Sequence, residues 1–225
     1  MLERILPASA AVVATRGDRT DEVLFAEEEV AIGRAVEKRR REFTTARACA
    51  RTALAQLGFP PQAIASDPRG APQWPPGVVG SITHCDGYRG CAVAHSADLL
   101  AIGVDAERNE PLPDGLLGDI ALPEERAMLR TLAEEGSEIH WDRLLFSAKE
   151  SVYKAWYPLA GKWLGFEDAI VVIDPSTQTY LARLLVPGPT VAGRELSGFA
   201  GRWIAGDGLI FTAIAMDADV ASGGR

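Results

Sequence analysis

The sequence predicts an α/β (α+β) fold, because segments of helical periodicity and segments typical of β-strands occur in both halves of the chain. A helix is predicted over residues 23–57, where apolar side chains recur at three- and four-residue steps from Phe43 to Leu57. A second long helix is predicted over 140–157, which carries a complete apolar stripe. Short apolar runs bounded by turn residues predict strands at 78–83, 90–95, 99–105, 168–173, 180–186, 199–205 and 208–216.

Breaker residues set the predicted boundaries. Gly58 and Pro60 end the first helix, and the Pro- and Gly-rich stretch 60–77 is expected to form a loop. A second loop is expected over Arg108–Gly115, followed by a helix over 123–134.

The last two predicted strands form a hairpin. The segment Ala205-Gly206-Asp207-Gly208 between them is typical of a tight hairpin turn. Beyond Met216 the residues are small and polar, so 218–225 is expected to be a flexible tail.

Composition narrows the function classes. The 225 residues carry a net charge of −8, which argues against a nucleic-acid binder. Three cysteines do not suit a disulfide framework, and no run approaches the length of a membrane span, so we expect a cytoplasmic protein. The apolar run Ile5–Ala14 has some character of a secretion signal, but Pro7 interrupts it and Glu3 stands where a basic residue belongs.

Acidic residues follow the predicted strand at 99–105. Asp105 and Glu107 are two residues apart, so both carboxylates are expected on one face of the strand. A third carboxylate, Glu150, lies between Lys149 and Lys154. Three oxygen donors beside cations suit Mg²⁺ with a phosphate-bearing substrate. Taken singly, these residues also fit solvated carboxylates and a surface Glu–Lys pair.

Basic residues and a histidine are candidate phosphate ligands. Arg40, Arg47 and Arg51 lie near one stripe of the predicted helix and can clamp phosphates, although such a charge run also fits a solvated face. His84 follows a predicted strand, where it can donate to a phosphate oxygen or serve as a structural histidine.

Five segments in order resemble the Sfp-type 4′-phosphopantetheinyl transferases, especially their EntD-like bacterial branch. The matching segments are KRRREFTTARACARTAL at 38–54, RGAPQWPPGVVGSITHC at 69–85, GVDAERNEPLP at 103–113, LPEER at 122–126 and HWDRLLFSAKESVYKAWYPL at 140–159. WLGFEDA at 163–169 follows, and the resemblance spans nearly the whole chain.

The resemblance implies both the fold and the reaction. It implies two pseudo-twofold-related halves, at 1–102 and 103–217, with coenzyme A in the cleft between them. It implies transfer of 4′-phosphopantetheine from coenzyme A to a serine of an apo acyl or peptidyl carrier protein, with release of adenosine 3′,5′-bisphosphate. The carriers then serve fatty-acid, polyketide or nonribosomal peptide synthases. A monomer is expected, without nucleic-acid or membrane partners.

The resemblance also implies residue roles. The implied Mg²⁺ ligands are Asp105, Glu107 and Glu150, with water or the main chain at Ala106 completing the set. Glu150, Lys154 and Asp105 are the implied catalytic residues, and Glu150 is the expected base. The coenzyme A contacts are implied for Arg39, Arg47, Arg69, Thr83, His84, Lys149 and Lys154, and the pantetheine path for Trp163 and Leu164.

Two rival functions remain open at this stage. A metal-dependent phosphodiesterase or nuclease also uses acidic pairs beside a lysine, but the negative net charge counts against it. A non-catalytic coenzyme A-binding regulatory module is the other rival, and the presence of all three carboxylates counts against that.

Overall fold

The computed structural model describes residues 1–134 and 136–218 and confirms a mixed α+β fold. Ten strands and five α-helices are present in these residues. The strands are β1 (Ala11–Thr15), β2 (Val78–Cys85), β3 (Tyr88–His95), β4 (Leu99–Arg108), β5 (Ala169–Asp174), β6 (Thr179–Leu184), β7 (Thr190–Val191), β8 (Arg194–Glu195), β9 (Gly198–Gly206) and β10 (Leu209–Asp217). The helices are α1 (Ala26–Ile32), α2 (Glu37–Gln56), α3 (Leu116–Ile120), α4 (Pro123–Glu134) and α5 (Trp141–Ala160).

The helix predicted over 23–57 is in fact two helices, α1 and α2. Val36, which lies between them, has an extended backbone and is the N-cap residue of α2. The fully buried Glu28 of α1 forms an ion pair with Arg51 of α2, with a separation of 2.9 Å. In one continuous helix these residues would lie about 34 Å apart, so this ion pair requires the chain to fold back.

The N-terminal sheet has the antiparallel strand order β1-β3-β2 and packs against α2. Strand β1 was not predicted from the sequence. Its segment continues from Ile5 and Leu6, which are buried in an apolar cluster together with residues of β3, β4 and β10.

The C-terminal sheet has the antiparallel strand order β4-β10-β9-β6-β5. Helix α5 crosses β4 at Gly103, where a Cβ atom would lie only 2.0 Å from the Ser151 carbonyl oxygen. The predicted hairpin between β9 and β10 is present, with Asp207 and Gly208 at φ 53° and 73°, which matches a two-residue turn with both residues left-handed.

The two sheets meet where β2 lies beside β4. The Ser81 and Thr83 hydroxyls of β2 accept hydrogen bonds from the backbone N–H groups of Val104 and Ala106, at 3.0 and 2.9 Å. Side chains thus take the place of a backbone ladder at this junction.

Three further points concern the predicted boundaries. The proposed boundary between residues 102 and 103 falls inside β4. The two-residue strands β7 and β8 and the short helix α3 were not predicted. The predicted tail lies outside the described residues apart from Ala218.

Within the described residues, no helix is both long and apolar enough to cross a membrane.

Candidate active site

A cleft of about 220 Å³ lies between α2 and α5, above strand β2. It brings together five of the predicted coenzyme A contacts, which come from α2, the loop after it, β2 and α5. These residues are Arg39, Arg47, Arg69, His84 and Lys154.

Arg39 of α2 and His84 of β2 form one wall of the cleft. A guanidinium has no acceptor, so Nη1 of Arg39 donates to Nε2 of His84, which must be unprotonated. Burial, and then the positive charges of Arg39 and Lys154, lower the pKa of His84 to about 4. His84 is therefore neutral at pH 7, and Arg39 carries the charge of this pair.

Arg47 lies deeper than Arg39 and is 3% exposed. Its Nε donates to the Ile64 carbonyl oxygen at 2.9 Å and its Nη2 to the Ser66 hydroxyl at 2.8 Å, while its guanidinium lies 4.3 Å from the centre of the Phe43 ring. Burial lowers the pKa of Arg47 to about 10, which still leaves it charged at pH 7. Arg47 thus fixes the loop after α2 and also contributes charge to the cleft.

Asp105 is held by three side-chain donors from two elements, β2 and α5. Its Oδ1 accepts from Lys154 at 2.7 Å and from the Thr83 hydroxyl at 3.2 Å, and its Oδ2 accepts from the Ser147 hydroxyl at 2.8 Å. Lys154 also donates to the Val104 carbonyl oxygen at 3.2 Å. Asp105 is only 4% exposed. Burial and these hydrogen bonds together fix the orientation of its carboxylate.

The pKa values of the other two carboxylates, Glu107 and Glu150, are raised. Burial and the nearby Asp105 raise the pKa of Glu107 to about 7, although Arg143 opposes the shift by donating to Glu107 at 3.0 Å. Burial is also the main cause that raises the pKa of Glu150, and Asp105 adds to it. A cation placed among these groups would lower both pKa values.

The fit of Mg²⁺ to this site is partial. The donors are hard oxygen ligands, and the raised pKa values of Glu107 and Glu150 indicate that an added positive charge would be favourable there. In 1–134 and 136–218, however, no three His, Cys, Asp or Glu side chains are grouped closely enough to hold a metal ion. Lys154 and Arg143 balance Asp105 and Glu107 in this structure.

Ala106 can contribute only its main chain. Its methyl group is fully buried in the apolar cluster between the sheets. Its N–H is bonded to Thr83 on the β2 side, and the N–H and C=O of a strand residue point the same way, so its carbonyl also faces that edge. The Val104 carbonyl at the same edge accepts from Lys154.

Two predicted coenzyme A contacts have other partners. The Thr83 hydroxyl is buried between Ala106 and Asp105 and so orients the carboxylate. The Lys149 ammonium donates to the carbonyl oxygens of Phe166 and Ala169 and lies 2.9 Å from Glu125. Lys149 is 4% exposed, so the structure does not bring its charge into the cleft.

Trp163 and Leu164 line a smaller pocket of about 60 Å³. Glu150 also borders it, and Tyr153 borders both this pocket and the main cleft. Trp163 is 66% exposed and packs on Tyr153, with ring centres 4.9 Å apart. The two pockets therefore adjoin along α5.

The sequence analysis missed three polar residues of α5 at the site: Arg143, Ser147 and Tyr157. Together with Glu150 and Lys154 they are spaced by four, three, four and three residues, which places all five on one helical face. The sequence analysis used the apolar stripe of this helix. The polar stripe beside it would have indicated Arg143, Ser147 and Tyr157 as well.

Two protein-family models match the two parts of this chain. Residues 27–94 match the family described as 4′-phosphopantetheinyl transferase N-terminal domain, and 101–203 match the 4′-phosphopantetheinyl transferase superfamily. The chain belongs to this superfamily.

Three relatives carry the same family name. The 4′-phosphopantetheinyl transferase Svp of Streptomyces mobaraensis is 54% identical over 221 residues, covering 97% of this chain and 90% of the relative. Npt of Nocardia iowensis is 50% identical, covering 96% of this chain and 99% of the relative. PptT of Mycobacterium tuberculosis is 48% identical, covering 84% and 85%.

Proposed function

We propose that this enzyme transfers 4′-phosphopantetheine from coenzyme A to a serine of an apo acyl or peptidyl carrier protein. The observation that carries the proposal is one cleft in which cations of the N-terminal half face Lys154 of α5, whose ammonium is bonded to Asp105 of β4. Family membership and the three relatives support the same reaction.

The cationic wall binds the phosphates of coenzyme A. Arg39 is exposed, and among the residues that the structure describes Arg47 has partners at two of its three nitrogens, so both can donate charge-assisted hydrogen bonds. Neutral His84 shares its Nε2 with Arg39 and thereby directs that guanidinium. Arg69 adds a fourth group at the rim.

Asp105, Glu107 and Glu150, with the Ala106 main chain, are the residues that would hold Mg²⁺, which requires the three carboxylates to come closer together than they are in the described residues. The ion would supply charge neutralisation at the pyrophosphate and at the leaving bisphosphate. Thr83 and Ser147 fix the Asp105 carboxylate. Lys154, whose pKa is raised because Asp105 and Glu150 outweigh the effect of burial, stays charged beside the pyrophosphate.

Glu150 accepts the proton of the carrier serine. A serine hydroxyl is a weak nucleophile at neutral pH, and a carboxylate with a raised pKa is better matched to this proton transfer than an ordinary one. Glu150 borders the pocket of Trp163 and Leu164, which supports a position of the pantetheine arm beside the base.

The finer assignments are part of this proposal. They are membership of the EntD-like branch, a division into halves at 1–102 and 103–217, a cytoplasmic monomer, and carriers of fatty-acid, polyketide or nonribosomal peptide synthesis. A nuclease and a non-catalytic coenzyme A-binding module are not supported, because all three relatives are named as transferases.

The test is to incubate the protein with coenzyme A, Mg²⁺ and an apo carrier and to weigh the carrier by mass spectrometry. The expected result is a mass increase of one phosphopantetheine, which disappears when the carrier serine is changed to alanine. An unchanged carrier mass, with several carrier types supplied, would overturn the proposal.

A further inference from the structure

A contact between the two halves lies at the rim of the cleft. The Tyr157 hydroxyl of α5 donates to Oδ2 of Asp67 at 2.6 Å, across 90 residues of sequence. Asp67 belongs to the loop between α2 and β2, in the predicted N-terminal half, whereas Tyr157 belongs to the C-terminal half. Both Tyr157 and the loop residues Arg69 to Pro72 line the cleft.

Asp67 also fixes the shape of the loop. Its Oδ1 accepts from the backbone N–H groups of Arg69 and Ala71, at 2.8 and 2.9 Å. Two backbone bonds close the same turn, from Gly70 to Asp67 and from Asp67 to Ala71, and Gly70 has φ +87°. One carboxylate therefore shapes the turn with one oxygen and anchors it to α5 with the other.

The anchored turn places a cation over the cleft. The Arg69 guanidinium lies 5.8 Å from the centre of the Tyr157 ring, which allows a cation–π contact. The hydrogen bond to Asp67 raises the pKa of Tyr157, so the phenol remains a donor at neutral pH. Tyr157 thus contacts both Asp67, which shapes the turn, and Arg69, whose side chain extends from the turn.

We propose that Tyr157 and Asp67 form a latch that positions Arg69 to bind a phosphate of coenzyme A. Tyr157 is a positioning residue, and its effect on the substrate passes through Arg69. This inference rests on the proposed function, since it concerns the same cleft. It predicts that the latch sets the affinity for coenzyme A and has little effect on the rate once the substrate is bound.

The experiment is a double-mutant cycle of Tyr157→Phe and Arg69→Ala in the full chain, with the dissociation constant of coenzyme A measured by calorimetry. Tyr157→Phe keeps the ring and removes only the hydroxyl, and should weaken binding by about three- to tenfold. Asp67→Asn, which changes the other end of the same bond, should weaken it to a similar degree. In the Arg69→Ala background, Tyr157→Phe should cause no further loss.

A readout without ligand accompanies the cycle. Hydrogen exchange at the amides of Arg69 and Ala71 should be faster in Tyr157→Phe than in wild type, because the turn loses its anchor. Unchanged coenzyme A affinity in Tyr157→Phe, or a full additional loss in the Arg69→Ala background, would overturn the latch. If wild type itself fails to bind coenzyme A, the proposed function is overturned as well, so the two failures are distinct.

Discussion

Helices α2 and α5 have the same length and both pack on a sheet, yet they carry different functional groups at the site. Each is a 20-residue helix packed on an antiparallel sheet, and each turns one face to the cleft. The cleft face of α2 presents Arg39 and Arg47, whereas α5 presents Lys154, which is bonded to Asp105 of β4. Glu150 of α5 borders the adjoining smaller pocket. In the proposed function, α2 thus provides the surface that binds anions, and α5 with β4 provides the groups for proton transfer and charge neutralisation. Variants on the two helices should therefore fail in different ways.

The largest expected effect is that of Asp105→Ala, which removes the β4 carboxylate bonded to Lys154 and Ser147 of α5. Transfer should fall about 10²–10⁴-fold, because Lys154, Thr83 and Ser147 all lose the acceptor that orients them. The free energy of unfolding should also fall by about 1–3 kcal/mol, since buried donors are left unpaired. Turnover assays and chemical denaturation measure the two effects. Asp98→Ala, at an exposed aspartate just before β4, is the matched control, and near-normal transfer by folded Asp105→Ala would remove Asp105 from the site.

Arg47→Ala tests the α2 side and should produce a combined loss. The affinity for coenzyme A should fall about tenfold or more, because a charge-assisted contact is lost. The stability should fall by about 1–3 kcal/mol, because the Ile64 carbonyl and Ser66 lose their buried partner. Calorimetry and denaturation report these separately, with the exposed Arg41→Ala as control. A change in stability with unchanged coenzyme A affinity would make Arg47 purely structural.

Lys149→Met should lower stability without changing the chemistry. Glu125 is 1% exposed and would lose its cationic partner, which costs about 2–4 kcal/mol. Turnover per folded molecule should stay close to that of wild type, because the ammonium is bonded outside the main cleft. A stable Lys149→Met protein with a large loss of turnover would restore the predicted contact with the pyrophosphate.

The smallest effect concerns His84 and pH. Its folded-state pKa of about 4 is below its ordinary value of 6.5, so the unfolded chain binds more protons between these values. Stability contributed by neutral His84 is therefore present above pH 6.5 and is lost as the pH falls towards 4. Because the group is partly solvated, we expect about 1 kcal/mol. Denaturation at pH 7 and pH 4.5 should show a smaller drop for His84→Asn than for wild type. Equal drops would show that His84 does not titrate in this way.

Much of the C-terminal half could be predicted from the sequence, because its strands and its long helix show apolar patterns within short segments. Strand β4 and the carboxylates at its end followed from an apolar run and a spacing of two. The break between α1 and α2 did not, since it depends on the tertiary Glu28–Arg51 ion pair. The coenzyme A contact of Lys149 was implied by the family resemblance, but Lys149 follows Ala148 and precedes Glu150 on a helix, and neighbouring residues in a helix do not share a face. Tyr157 and Asp67 are 90 residues apart, so only the folded chain shows that they meet.

The division of work between the helices is tested most directly by the transfer rate at saturating coenzyme A and Mg²⁺, in Arg39→Ala and Glu150→Gln. Arg39→Ala should reach nearly the wild-type rate once coenzyme A is saturating, because the residue contributes to binding. Glu150→Gln keeps the size of the side chain but cannot accept a proton, so its rate should stay about 10²–10⁴-fold low. Excess Mg²⁺ should not restore that rate. A slow Arg39→Ala enzyme at saturation, or a Glu150→Gln enzyme fully rescued by Mg²⁺, would contradict this account.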